Sequence, residues 1–467
     1  MKKITALIAL LVCVLLVLSS CSAVYNMETG MNTLTSDQMA GRQAGSPGGA
    51  SAAKYIQDTF TELGVEQYVQ QFNYQTFAPD QLKVSLVITR SGGAPTETVL
   101  GTDYMPTRIS RTADVKGGIT FDRNDANLQD KILVTDKLFS LRDVTQKPKG
   151  ILLLEDPLVK RVEARDTALP VFSISKKLFE VLASGVTTQA EMSIQSTLQP
   201  AVFQNVIGVI RGKNSDEALI LSAHFDGCGF DDCGIYKGAV DNASGVVTML
   251  KCAQLLKDGL GGSQPDMDIV FAAFDGEENG LIGSQYFMQQ SDYKKVTNIN
   301  IDCLGKGDVY VQADMNNQEL AKTVSGFVTG SQVSELGGIS DNMVFSFYDY
   351  PAIQITTLKS SASGDIHTLK DTSDAVDRML LLKLSNDLSN YVIQKCGGQS
   401  ASLKSASPAS SGKQSAGAAE SAASGDSSGA IAIITPESTG ASPAASASQS
   451  AAPSTDSGGA AGINPAA

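Results

Sequence analysis

The sequence predicts an α/β protein, a mixed and largely parallel sheet covered by helices on both faces, carrying a small inserted β-rich domain. Three observations lead there. From Asn205 onward, apolar runs of strand length alternate with amphipathic helical stretches; residues 78–198 hold short β-rich runs; and both ends of the chain differ in composition from everything between them. Strands that are apolar throughout, rather than alternating, are buried on both faces, as in a parallel sheet covered by helices.

Taken in order, the 467 residues begin with "MKKITALIALLVCVLLVLSSC". Lys2 and Lys3, an apolar run from Ile4 to Leu18 and the small residues Ser19 and Ser20 make a secretory signal over 1–20. The run is short for a retained spanning helix. The "LSSC" ending reads as a lipobox, with cleavage before Cys21 and a lipid on its thiol; whether anchored so to the outer face of a bacterial cytoplasmic membrane, held by an uncleaved N-terminal segment or secreted, the body faces outward. At the other end, 397–467 consists almost wholly of Gly, Ser, Ala, Pro and Gln, too little apolar surface to offset its ordering entropy.

Residues 21–77 lead in: a turn-rich stretch, then a helix on which Ala52, Tyr55, Ile56 and Phe60 recur at helical spacing until Leu63-Gly64. Between 78 and 198, "LKVSLVITR", "DKILVT", "KGILLLE" and "LPVFSIS" are strands broken by Gly, Pro and Asn/Asp turns, without paired histidines or clustered acids. That inserted domain is expected to cover a site or recognise something. Over 199–396 come the strands "NVIGVIRG", "EALILSAHFD", "DIVFAAFDG", "VTNINIDCLG", "DVYVQAD" and "YPAIQITTL". Helices "NASGVVTMLKCAQLLK", "LIGSQYFMQQ", "QELAKTVSGFV" and "DRMLLLKLSNDLSNYVIQKC" alternate with them.

The formal charge of −13, or −15 without Lys2 and Lys3, comes with no basic cluster and argues against nucleic acid as a partner. Of seven cysteines, five remain once Cys13 and Cys21 are set aside. Cys228 and Cys233 are close enough for a local disulfide or for extra metal ligands, and buried free thiols fit equally.

"FDGEENG" places Glu277 and Glu278 side by side at the end of a buried strand, where like charges repel and a cation is the usual compensation. The chain's two histidines also follow buried strands: His224 ends "EALILSAH" with Asp226 two residues on, and His367 follows "YPAIQITTL" with Asp371 four residues on. Asp241 opens "DNASGVV", where it could cap a helix; Asp302 ends "VTNINI", where it could serve a turn. Open α/β sheets put their sites beyond the carboxyl ends of their strands. Two imidazoles and four carboxylates gathered there suit a borderline metal such as zinc, and the histidines argue against calcium, which prefers oxygen alone.

In order and spacing, "SAHFDG", "GAVDNASGV", "FDGEENGLIGSQYF", "NINIDCLG" and "IHTLKDTSDAVD" resemble the co-catalytic di-zinc aminopeptidases of metallopeptidase family 28. "MAGRQAGSPGGASAAKYIQDTF" resembles that family's lead-in, and the inserted β-rich domain its protease-associated type. The resemblance implies a zinc-peptidase-like fold, two zinc ions and peptide substrates. It implies that His224 and Asp302 bind one ion, Glu278 and His367 the other, and that Asp241 bridges them. Asp226 would orient His224, and Glu277 would be the general base. Two departures stand out: Cys303 where methionine is usual, and Ile366 where several members carry an oxyanion-holding tyrosine, a role Tyr236, Tyr348 or Tyr350 could take. Loops around Tyr236, 345–350 and 360–365 are expected to form the pocket for the first side chain. The competing readings are a glutaminyl-cyclase-like single-zinc enzyme and an inactive peptide-binding lipoprotein; retention of all five ligand residues favours the two-metal hydrolase.

Overall fold

The computed structural model describes residues 24–107, 109–137, 146–163, 169–360 and 364–397. The signal segment, Cys21 and the chain after 397 lie outside the described residues. Asn26 opens helix α1 (Met27–Leu34) by accepting the Thr29 N–H, and Ser46 opens α2 (Pro47–Glu62) by accepting that of Gly49. Pro47 suits the first helical turn, where its missing N–H has no partner to lose.

Eight strands form the main sheet: β1 (Glu66–Phe77), β2 (Leu198–Ile210), β3 (Asn214–His224), β4 (Met267–Phe274), β5 (Lys295–Ile301), β6 (Tyr310–Gln312), β7 (Gln332–Ser334) and β8 (Ala352–Thr356). Their order is β1-β2-β4-β3-β5-β8-β6-β7. The central four, β4-β3-β5-β8, are mutually parallel; β1 and β2 pair antiparallel with their neighbours, and β6 is antiparallel to β8 but parallel to β7, so the sheet is mixed with a parallel centre, as expected.

Alternate residues of the central strands serve two cores. Leu219, Leu221, Ala223, Ile269, Phe271, Ile299 and Ile353 face one side, against α1, α2, α3 (Ser244–Leu260) and the closing helix, whose buried face carries Leu381, Leu384, Leu388 and Val392. Ile220, Val270, Ala272 and Phe274 face the other, where α4 (Ile282–Gln290) contributes Phe287 and Met288, and α5 (Asn342–Phe347) contributes Val344 and Phe345. Phe274, Phe287 and Phe345 pack with ring centroids 5.6–6.2 Å apart, within the range of favourable aromatic pairs. Helices on both faces explain why these strands read as continuous apolar runs.

A second eight-stranded sheet occupies 83–195. It departs where β1 ends and returns where β2 begins, since the β1–β2 ladder pairs Phe77 with Leu198 at that end and Glu66 with Val209 at the other. Its core holds Leu86, Ile88, Ile132, Val134, Leu152, Phe172 and Met192, with Leu178 and Leu182 from the helix Lys176–Ala183. A smaller apolar cluster of Phe77, Met105, Ile109, Val162, Cys228 and Tyr236 seals this sheet against the loop after β3. That contact brings residues 158–163 to the edge of the site.

Candidate metal centre

His224 is the last residue of β3, Glu277 and Glu278 follow β4, Asp302 follows β5 and His367 stands in the loop after β8. All five therefore leave the same end of four adjacent parallel strands. The parallel arrangement makes them converge.

Asp241 reaches the same point differently. The helix it was expected to cap begins at Ser244, and Asp241 lies in the irregular turn before it, with φ −115° and ψ 92°. Its backbone is held by Asp371, whose carboxylate accepts the Val240 and Asp241 N–H groups at 2.7 and 3.1 Å. Freed from capping, the Asp241 side chain sits between the histidines: Oδ1 is 3.1 Å from His224 Nε2 and Oδ2 is 2.9 Å from His367 Nε2. Asp302 Oδ1 is 3.3 Å from His224 Nε2, and Glu278 Oε1 is 3.1 Å from His367 Nε2.

Two ligand groups result, each with its donor atoms within 4.8 Å of one another: His224, Asp241 and Asp302, and Cys228, Glu278 and His367. Donors at about 2.0–2.1 Å from a tetrahedral zinc are roughly 3.3 Å apart, close to the separations here. Asp302 Oδ1, although buried, accepts no hydrogen bond, while its Oδ2 accepts one from the Ser340 hydroxyl at 2.6 Å. An unpaired carboxylate oxygen facing an imidazole nitrogen is the donor set a divalent ion fits.

Asp226 is fully buried and does more than face His224 Nδ1, 3.5 Å away. Its two oxygens accept the N–H groups of Glu277 and Glu278, at 3.1 and 3.2 Å. It thus aims the loop that carries both glutamates.

The electrostatics report the same excess of negative charge. Burial alone would lower both imidazole pKa values, but Glu277 beside His224, and Cys228 and Glu278 beside His367, together with the carboxylate hydrogen bonds, raise both well above the ordinary histidine value. Burial, reinforced by Glu278, Asp341 and Asp302 and opposed by His224, holds Glu277 well above the usual carboxylate range. Asp241 is driven the other way: its hydrogen bonds to both histidines overcome the desolvation that would raise it.

Arg42, in the lead-in segment, is completely buried beneath the centre and donates to four carbonyls: Phe225 from Nε, Leu34 and Lys237 from Nη1, and Gly238 from Nη2, all at 2.7–2.8 Å. Arg42 and Asp371 were not singled out as site residues from the sequence. Arg42 has no spacing signal and Asp371 only its place four residues after His367, because each acts by holding backbone.

A cavity of about 140 Å³ opens beside the centre, walled by Gln312, Ile339, Gln354, Thr356, Leu358 and Ile366. Leu358 and Ile366 flank the expected loop 360–365, of which 361–363 lie outside the described residues, whereas Tyr236, Tyr348 and Tyr350 do not line the cavity. Tyr236 is buried with Lys160 Nζ 4.7 Å above its ring, Tyr348 is exposed, and the Tyr350 hydroxyl donates to the Tyr293 carbonyl. Cys228 and Cys233 are both free thiols.

An α/β sheet that gathers imidazoles and carboxylates at the ends of its parallel strands has the zinc-peptidase-like fold that the sequence predicts. The model of Peptidase family M28 matches residues 205–392. The chain is 28% identical over 292 residues to aminopeptidase YwaD of Bacillus subtilis, covering 58% of this chain and 60% of that one. It is 24% identical over 311 residues to the probable lipoprotein aminopeptidase LpqL of Mycobacterium tuberculosis, covering 62% and 56%. The chain thus spans three fifths or less of these relatives' length. Among solved structures, an aminopeptidase from Aneurinibacillus sp. strain AM-1 superposes with a TM-score of 0.62 at 21% identity, over 82% of this chain and 97% of that one. The zinc aminopeptidase BSAP from Bacillus subtilis gives 0.63 at 19%, over 81% and 96%. At such identities the likeness concerns the fold, including the second sheet that this coverage spans.

Proposed function

We propose that this protein is an aminopeptidase that uses two zinc ions to hydrolyse the amino-terminal peptide bond of peptides, with Glu277 as general base. The observation that carries the reading is Asp241, whose two carboxylate oxygens each face a different histidine, as a residue shared between two ions must. His224 and Asp302 would hold one ion, Glu278 and His367 the other. When bound, the ions supply Lewis acidity that lowers the pKa of a water and polarises a peptide carbonyl.

The remaining work falls to the chain. Glu277 takes the proton from the attacking water and returns it to the leaving amine. Asp226 fixes the direction of Glu277 and Glu278 through their N–H groups, and Asp371 fixes Asp241 through its own. The adjoining cavity, similar in size to one of about 150 Å³ that accepts benzene, receives the first side chain.

The test is a panel of aminoacyl anilides assayed with and without a chelator, followed by zinc add-back. Chelator-sensitive release restored by zinc is expected; purified protein that retains zinc yet cleaves none of the panel would favour a peptide-binding protein. The same proposal places the protein outside the cell, anchored through lipid on Cys21, in keeping with its likeness to a probable lipoprotein aminopeptidase of Mycobacterium tuberculosis. Among the described residues no helix is long and apolar enough to cross a membrane. Incorporation of labelled palmitate that persists in Cys21→Ala would refute the anchor.

A further inference from the structure

We infer that Cys228 is a metal ligand, its thiolate joining Glu278, His367 and Asp241 around one of the two ions. The inference rests on the two-metal reading above and adds to it a sulfur donor that none of the five ligand residues supplies.

Geometry comes first. Cys228 Sγ is 3.6 Å from Glu278 Oε1, and with His367 these ligand atoms lie within 4.8 Å of one another. Sulfur at about 2.3 Å and oxygen at about 2.0–2.2 Å from a tetrahedral zinc are separated by roughly 3.5–3.6 Å. The thiol and carboxylate already stand one coordination edge apart.

The backbone enforces that aim. Gly227 and Gly229, on either side of Cys228, donate to the carbonyls of Arg42 and Gly41 at 3.3 and 3.0 Å. Lys160, from the segment inserted between β1 and β2, then ties the two ligand loops together: its carbonyl accepts the Cys228 thiol at 3.5 Å, and its N–H donates to the His367 carbonyl at 2.9 Å. A residue of the second sheet's territory therefore braces both a thiol and an imidazole of the centre.

An inert core cysteine would be placed otherwise. Cys252 is one: fully buried in the main core, it donates to the Ser385 carbonyl. Cys233 packs on Gly101 and forms no bridge to Cys228. Among the described cysteines, Cys228 alone belongs to a group of ligand atoms. Zinc accepts mixed sulfur, nitrogen and oxygen shells. On binding, the Sγ–H bond breaks, the proton leaves to solvent and a sulfur–metal bond forms.

The test uses the full chain loaded with two equivalents of cobalt(II), which reports thiolate ligation as a near-ultraviolet charge-transfer band. The band is expected in the unaltered protein and in Cys233→Ser and Cys303→Ser, and is expected to vanish in Cys228→Ser, whose affinity for one of the two ions falls by at least about 10-fold, the lower bound for loss of a supporting residue. X-ray absorption at the zinc edge of the unaltered protein should show one sulfur shared over two zincs and needs no variant to fold. Two bound ions with no sulfur band and no sulfur scatterer, or a band that survives in Cys228→Ser, would overturn this inference and leave the two-metal reading standing. Protein that binds neither metal would overturn both.

Discussion

Replacing Arg42 by methionine is the most informative perturbation of this architecture. The change keeps an unbranched side chain but removes a guanidinium that is 0% exposed and donates to four carbonyls. Gly238 O keeps a second donor, the Ala243 N–H, so the loss falls chiefly on the carbonyls of Phe225, Leu34 and Lys237. A buried polar group left unpaired costs about 1–3 kcal/mol, giving at least about 3 kcal/mol for three, against a typical total stability of about 5–15 kcal/mol. Arg42 is also a cation facing Asp371, Asp226, Asp241 and Glu278, so its removal should harm the chelated protein more than the zinc-loaded one. Equilibrium urea unfolding, with zinc and with chelator, measures both quantities. Lysine should rescue poorly, because an ammonium cannot reproduce the planar fork. A loss below about 1 kcal/mol in both conditions would show that these hydrogen bonds do not hold the site together.

Glu277→Gln should retain both ions by elemental analysis yet lose about 10²–10⁴-fold in kcat; full turnover in that variant would remove Glu277 as the base. Gly245→Ala places a Cβ 2.2 Å from the Ile301 carbonyl oxygen and 2.4 Å from Asn242 Oδ1, both beside ligands, so its thermal midpoint should fall by an amount corresponding to about 1–3 kcal/mol and its metal content should drop. The chelated protein should lose stability as pH rises from about 4 to 8. Burial raises Asp341 and Asp371 to about 7, and His224 and His367 also lie above their ordinary values, so the folded state holds more protons than the unfolded one throughout that window. Each of the two aspartates contributes up to about 4 kcal/mol to that slope. Zinc, which displaces the protons, should flatten or reverse it; a chelated protein more stable at pH 8 than at pH 5 would contradict the assignment.

The sequence by itself determined the class of fold and singled out most of the residues that gather at its strand ends. Continuous apolar runs such as "EALILSA" and "DIVFAAF" encode burial on both faces within a few residues, and the rarity of histidine made His224 and His367 conspicuous. Tertiary structure decided the rest. Only the order β4-β3-β5-β8 brings residues 224, 278, 302 and 367 together, and strand order is a long-range property that local periodicity does not encode. The Asp241 carboxylate proved to be spared from capping because Asp371, 130 residues away, holds its backbone. Arg42, Lys160 and the aim of Cys228 are of the same kind, since each works through backbone carbonyls and N–H groups. Every residue has those groups, and only folding selects which of them meet.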